Sequence, residues 1–335
     1  MSTQNLPIDT AVEQYVTSRA DATQSTRERH RYRLSKFTDY CSQADVTHTS
    51  QIDGSIIEGF RQDRLADDNT SIKTNEQCLH TFRVFLRYLE RVEACSEGLS
   101  EVVIIPKVPD AQESRDTHIS HERAQQIINH LAKYEWATTK HVVFHLTYHT
   151  GLRRGALYAL DVQDWDSEGR VLHVRNRDNT PLKLRADGER NLSITDDRLA
   201  VALDDYLKDV RPAVRDDYGR EPLFASSHGR YHYMSLQKIF YAASRPCQFA
   251  DKCPVDGKSI DSCEATYRDN ASKCPESVSS HPIRRSAITH QLNEDVPKEI
   301  VSERMNVDEG TLDKHYDART REEKRERRED YLDSV

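Results

Sequence analysis

Long apolar runs are missing from this chain of 335 residues: no stretch approaches the 18 consecutive apolar residues that a membrane span needs, and mean hydropathy is −0.81. The N-terminus, MSTQNLPIDTAVEQY, lacks the basic start and apolar core of a secretion signal. A soluble, cytoplasmic protein is therefore expected. Internal repeats are absent, and glycine, at 11 residues, stands at about half its ordinary usage. Positive charge is also in deficit, with 48 Lys and Arg against 56 Asp and Glu and a formal net charge of −8. That balance argues against binding nucleic acid through bulk charge. Lysine is the scarce cation, 14 against 34 arginines. An acidic, arginine-rich chain with few large apolar residues suits a salt-accumulating cell, where dense carboxylates keep a protein soluble although salt screens charge over a few ångströms.

What is present is helical periodicity. Ile8, Val12, Tyr15 and Val16 fall on one helical face, as do Leu34, Phe37, Tyr40 and Cys41. A third segment runs from Ser55 to about Arg64, and a fourth buries Leu79, Phe82, Phe85, Leu86 and Leu89. Four such helices can close a small all-α core. This N-terminal unit is acidic overall, yet bases gather from Arg27 to Lys36 and from Arg83 to Arg91, with Arg27, Arg31, Arg83 and Arg87 on the presumed outer faces. The segment IIPKVPDAQESRDTHIS has two prolines and no period, which places a linker at 111–118 between domains 1–110 and 119–335. The second domain begins with helical patterns, HERAQQIINHLAKYEW and HVVFHLTYHTGLRRGALYALD. A β-rich patch follows, RVLHVRN, TPLKLR and RNLSIT, with turn signals at Asp178-Asn179 and Asp187-Gly188. The remainder reads as mostly helical, ending in a tail, 319–335, charged in both signs.

Three short motifs carry chemistry: Thr150-Gly151-Leu152-Arg153 at a helix turn, His281-Pro-Ile-Arg284, and Tyr316 in DEGTLDKHYD. Two guanidiniums suit the non-bridging oxygens of a phosphodiester, because their planar forks donate two bonds each. A histidine can shuttle a proton at the same group, and a tyrosine can act as a covalent nucleophile. Seven cysteines are present, and Cys247, Cys253, Cys263 and Cys274 crowd an insertion, 247–274, with five, nine and ten residues between them. In a reducing compartment such a cluster points to a structural zinc ion before disulfides, although the spacing is not that of a standard finger. Cys41, Cys78 and Cys95 fall on helical faces and are expected in the core.

In this order, TGLRRGALYALDVQDW, SHPIRRSAITHQL and RMNVDEGTLDKHY resemble the two arginine boxes and the nucleophile box of the tyrosine recombinases, in particular the XerC/XerD-like phage integrases of archaea. The helix with Thr26, His30, Leu34 and Phe37 is similar to one in that family's core-binding domain. The resemblance spans nearly the whole chain. It implies a mainly α protein: an all-α, SAM-like core-binding domain, then a mainly α catalytic domain with a small antiparallel sheet, α+β in class. It also implies that Arg153 and Arg284 clamp the phosphate, that His281 assists proton transfer, and that Tyr316 attacks. Lys183 in the β hairpin would protonate the leaving 5′ oxygen, with Arg185 as its rival. The chemistry needs no cofactor; the partner is double-stranded DNA, and the chain would be a monomer or dimer free and a tetramer on DNA. Two positions depart from the family pattern. Val307 stands nine residues before the nucleophile where His or Trp is usual, and Ala156 replaces an acidic residue three places after the first arginine. A DNA-binding regulator that keeps the fold without activity, or a nicking enzyme like type IB topoisomerases, are the competing readings.

Overall fold

The computed structural model describes residues 5–109, 118–250, 252–255, 257 and 259–315. The expected linker, apart from His118, the C-terminal tail and Tyr316 lie outside the described residues. The chain divides into two compact units, Met1–Asp116 and Thr117–Val335.

The first unit is built from α1 (Ile8–Ser18), α2 (Gln24–Gln43), α3 (Gly54–Ala66), α4 (Ile72–Arg91) and the short α5 (Leu99–Val102). Polar caps set three of the starts. Thr23 accepts from the Thr26 N–H, Asp53 from Ser55 and Ile56, and Ser71 from Thr74, each satisfying backbone donors that a first helical turn leaves open. The periodic stripes meet in one core, where Phe82 lies 4.5 Å from Phe37 and 5.0 Å from Phe60, centroid to centroid. Tilted aromatic pairs at that range contribute roughly 0.5–1.5 kcal/mol each beyond their area. Cys41, Cys78 and Cys95 are buried, and burial pushes the Cys41 thiol up to about 12 and Cys95 up to about 11.

In the second unit, α6 (His121–Tyr134) leads to α7 (Thr139–Thr150), which is buried along nearly its whole girth and forms the axis of the unit. The helical pattern breaks at Gly151, and α8 (Arg154–Ala159) follows. A three-stranded antiparallel sheet follows, in the order β1 (Trp165–Asp166), β2 (Val171–Val174), β3 (Arg190–Ser193). Leu172 pairs with Leu192 and turns it inward, while Val174 pairs with Arg190 at the end of the hairpin. Beyond α9 (Asp197–Asp205) come the short pair β4 (Ala225–Ser226) and β5 (Gly229–Arg230), then α10 (Tyr233–Ser244). The cysteine-bearing insertion forms a series of 3-10 turns, and α11 (Ser280–Asn293), α12 (Lys298–Met305) and α13 (Glu309–His315) complete the described chain. Ser286 fastens the start of the unit to α11, accepting from the Ile119 N–H at 2.9 Å and donating to its carbonyl at 2.7 Å.

One expectation needs correcting: TPLKLR is not a strand. A turn does close at Asp178-Asn179, where the Thr180 N–H donates to the Arg177 carbonyl at 3.0 Å. Past it, Pro181 cannot donate to a ladder, the Leu182 N–H is taken by Asn176 Oδ1 at 3.0 Å, and Arg185 turns left-handed with φ 51°. Leu182 is buried as a plug, and Lys183 rides on an irregular connection between β2 and β3.

Charge is organised as tightly as the apolar core. Asp161, 2% exposed, is held by Arg177 at 3.2 Å, Arg220 at 3.1 Å and Arg230, while Arg177 also grips Asp164 at 2.6 Å and Arg230 grips Asp216 at 2.7 Å. This web ties the segment after α8 to the β2–β3 connection and to the β4–β5 hairpin.

Candidate active site

The TGLR motif is a helix stop that presents a side chain. α7 ends with Gly151 at φ 62°, a conformation that costs glycine nothing, and any Cβ there would lie 2.6 Å from Met305 Sδ. Leu152 is fully buried behind the turn, and Arg153 follows in extended backbone as the N-cap residue of α8. His281 and Arg284, three apart on α11, share a face as their spacing requires. Both motifs border one cavity of about 380 Å³, whose lining includes Arg153, Lys183, Arg190, His281, Arg284 and Asn306.

Arg284 is 2% exposed and donates through Nη1 to the Gly151 carbonyl, so the second motif braces the turn of the first. Burial, reinforced by Arg284, Arg285, Arg153 and Lys183, holds the His281 imidazole below its ordinary pKa and thus neutral near pH 7. A neutral ring can accept one proton and return it; a permanently charged one could not. The first turn of α11 also contributes Ser280 to the lining, and backbone donors at a helix start favour an anion in the cavity.

Lys183 borders this cavity, whereas Arg185 is not in its lining. Val307 is buried in the core and sits outside the lining, and its neighbour Asn306 faces the cavity instead, turned left-handed at φ 49°. Ala156 is in the lining as a small, buried residue. Tyr316 lies outside the described residues, one position past α13. Sequence patterns did not single out Arg154, Arg190, Tyr233 or Asn306. Arg154 stacks on the Tyr233 ring at 3.8 Å and donates to Gln237 Oε1 at 2.7 Å, forming one wall. The doubled arginine after the glycine was the one available signal for Arg154.

In the first unit, Arg31 is forked onto Glu13 with both bonds at 2.8 Å, Arg87 pairs with Glu101 at 3.1 Å, and Arg83 donates to the Val103 carbonyl. Arg27 lies on the same helix as Arg31 and is half-exposed. The cysteines of the insertion, Cys247, Cys253, Cys263 and Cys274, are free thiols of intermediate burial. Among the described residues, no three His, Cys, Asp or Glu side chains already converge as a metal-ligand set, although Cys253 and Cys274 are near enough to Cys247 to act on its charge. No helix among the described residues is long and apolar enough to cross a membrane.

Comparison with known proteins places this geometry. The Tn1549 transposon integrase, in complex with a circular intermediate DNA, superposes with a TM-score of 0.67 at 15% identity, covering 97% of this chain and 99% of that one. A lambda integrase dimer bound to a COC′ core site gives a TM-score of 0.65 at 11% identity, covering 95% and 79%. At such identities these likenesses speak for the fold. The model of the phage integrase family matches residues 117–322, a stretch that contains the Gly151 turn, the hairpin, the insertion and the histidine-bearing helix. On that match the chain belongs to the phage integrase family of tyrosine recombinases.

Proposed function

We propose that this chain is a site-specific DNA recombinase that cleaves and rejoins duplex DNA through a 3′-phosphotyrosine. The observation that carries the reading is one cavity whose lining brings together the guanidiniums of Arg153 and Arg284, the Lys183 ammonium and the neutral His281 imidazole, a set suited to a phosphodiester and to the extra negative charge of its transition state. The Tyr316 hydroxyl attacks phosphorus and loses its proton to His281. The P–O5′ bond breaks, and Lys183 gives the departing 5′ oxygen a proton. Attack by a 5′-hydroxyl from a partner strand reverses these steps, so the phosphotyrosine keeps the bond energy and no cofactor is consumed. Arg153 and Arg284 hold the non-bridging oxygens throughout.

Residues 1–110 serve as a DNA-binding domain, with Arg27, Arg31, Arg83 and Arg87 directed to phosphates. Exposed pairs such as Arg31–Glu13 and Arg87–Glu101 contribute about 1 kcal/mol or less, so exchanging a carboxylate for a phosphate costs little. The DNA bound by the structurally similar integrases supports duplex DNA as the partner. The chain acts in the cytoplasm of a salt-rich cell, as a tetramer on DNA and a monomer or dimer off it. In the insertion, the buried apolar residues among those described are Ala265 and Ala271, too little to hold its 28 residues by packing alone. Four thiols drawn onto zinc would supply the missing crosslink. Metal analysis of the purified chain is expected to return about one zinc per chain; a value near zero removes the ion from the account.

The direct test uses duplexes selected from a randomised library for binding to the full chain, rebuilt with a nick so that a cleaved end diffuses away. A protein–DNA adduct should accumulate and map by peptide mass to Tyr316, and Tyr316→Phe should bind without forming it. Tight binding with no adduct would favour the regulator, and plasmid relaxation without strand exchange would favour the topoisomerase-like enzyme.

A further inference from the structure

Three half-buried arginines of the second unit, Arg177, Arg220 and Arg230, share the acids Asp161, Asp164 and Asp216. Arg190 is different. It opens β3 at the mouth of the hairpin and borders the same cavity as Arg153 and Arg284. Its Nε donates to the Arg304 carbonyl at 2.9 Å and its Nη1 to the Gly188 carbonyl at 2.8 Å. Both acceptors are neutral, and among the described residues no carboxylate pairs with it. The charges that bear on it are Arg153 and Arg304, both cations. Arg304 is itself bonded to the carbonyls of Ser193 and His149, and among the described residues no acid pairs with it.

We propose that Arg190 is a third guanidinium of the phosphate pocket, an anion-binding residue held ready by two main-chain carbonyls. The proposal rests on the reading of the cavity as a phosphodiester site. A desolvated cation beside two others is costly unless an anion completes the set, and folded proteins rarely retain such a group without a counter-charge. Burial, with Arg153 and Arg304 adding to it, lowers the Arg190 pKa to about 10, so the charge persists at neutral pH. The two carbonyls fix the plane of the fork through Nε and Nη1, which leaves Nη2 to serve the cavity. The arrangement explains why the connection before β3 is irregular. Gly188 must bring its carbonyl under the guanidinium, and a Cβ there would crowd Leu182 at 3.2 Å.

The test is a titration of the full chain with inorganic phosphate at constant chloride, with melting followed by tryptophan fluorescence. Both tryptophans, Trp136 and Trp165, lie in the second unit, so the signal reports that unit. Phosphate should raise the melting temperature of the wild-type chain. Arg190→Gln should weaken phosphate binding by about 10-fold or more, the size of a lost charge-assisted bond. Arg190→Lys should stay within a few-fold of wild type. Without phosphate, Arg190→Gln should melt at the wild-type temperature or above it, because an unmatched buried charge has gone. A purely structural arginine predicts the reverse: a lower melting temperature with an unchanged phosphate response. That result, or an Arg190→Gln chain that fails to fold, overturns the proposal. If Arg153→Gln loses the phosphate response and Arg190→Gln keeps it, only the role of Arg190 falls. If the wild-type chain shows no response at all, the phosphate reading of the cavity falls with it.

Discussion

Arg284→Lys is expected to bind duplex DNA normally and to form the covalent adduct roughly 10²- to 10³-fold more slowly. The guanidinium is fully enclosed and already has one donor committed to the Gly151 carbonyl. Its other amino group lies 3.5 Å from the Asn306 carbonyl, too long for a strong bond. A planar fork can brace the turn and hold a phosphate oxygen at once; an ammonium, a point charge on a flexible stem, must choose. Losing one preorganised donor at a developing anion costs about 2.7–4 kcal/mol in enzymes where this has been measured, which is the loss expected here. Lysine is the informative replacement because it keeps the charge and most of the volume, whereas alanine would also strand the Gly151 carbonyl. Single-turnover adduct formation on the nicked duplex, with a gel-shift titration beside it, separates chemistry from binding. A rate within about 3-fold of wild type would remove Arg284 from the clamp.

Acidification from pH 7 to pH 5 should cost the second unit on the order of 3 kcal/mol of stability, a large share of what a domain of this size has. His141, His145 and His149 recur every fourth residue on α7. His141 Nδ1 accepts the Ala137 N–H at 3.2 Å and His149 Nε2 accepts the Thr195 N–H at 3.3 Å. Burial above all, then His145 and Arg198 for His141 and Arg304 and His145 for His149, lowers each ring from 6.5 to about 4. The unfolded chain thus takes up these protons near pH 6.5 and the fold resists them until about pH 4. Stability is therefore complete above pH 6.5 and declines as pH falls toward 4. Each ring alone would cost about 2 kcal/mol at pH 5; their shared neighbour His145 makes the two less than additive. Urea midpoints read by tryptophan fluorescence at fixed salt give the measurement. Equal midpoints at the two pH values would refute the assignment, and His141→Gln should narrow the difference.

Much of this architecture is visible in the sequence, because helices announce themselves by a period. The α4 stripe from Cys78 to Leu89 reads directly as a buried face, and Thr23, Asp53 and Ser71 mark the starts of their helices. The spacing of His281 and Arg284 works the same way, since three residues on a helix make neighbours. What escaped reading is local backbone that no period describes. TPLKLR alternates like a strand, and only the combination of Pro181, the Asn176 side chain and the left-handed Arg185 undoes it. Arg190 looks like a solvated strand residue until Gly188 and Arg304 are folded against it. Asn306 reaches the cavity in place of Val307 because the chain leaves α12 in a left-handed turn, and a sequence shows only that asparagine tolerates it. Two-residue strands such as β1 and β4 are too short to carry any alternation at all.

The web around Asp161 bears on how this protein can change over generations. Removing Asp161 alone would leave Arg177, Arg220 and Arg230 facing one another, and removing a single arginine would uncover part of a buried carboxylate. Each first step is a loss, even though a wholly apolar replacement of the set could be as stable. These six positions are therefore inherited as a block: lineages should keep the web intact or lack it altogether, with few intermediates surviving between.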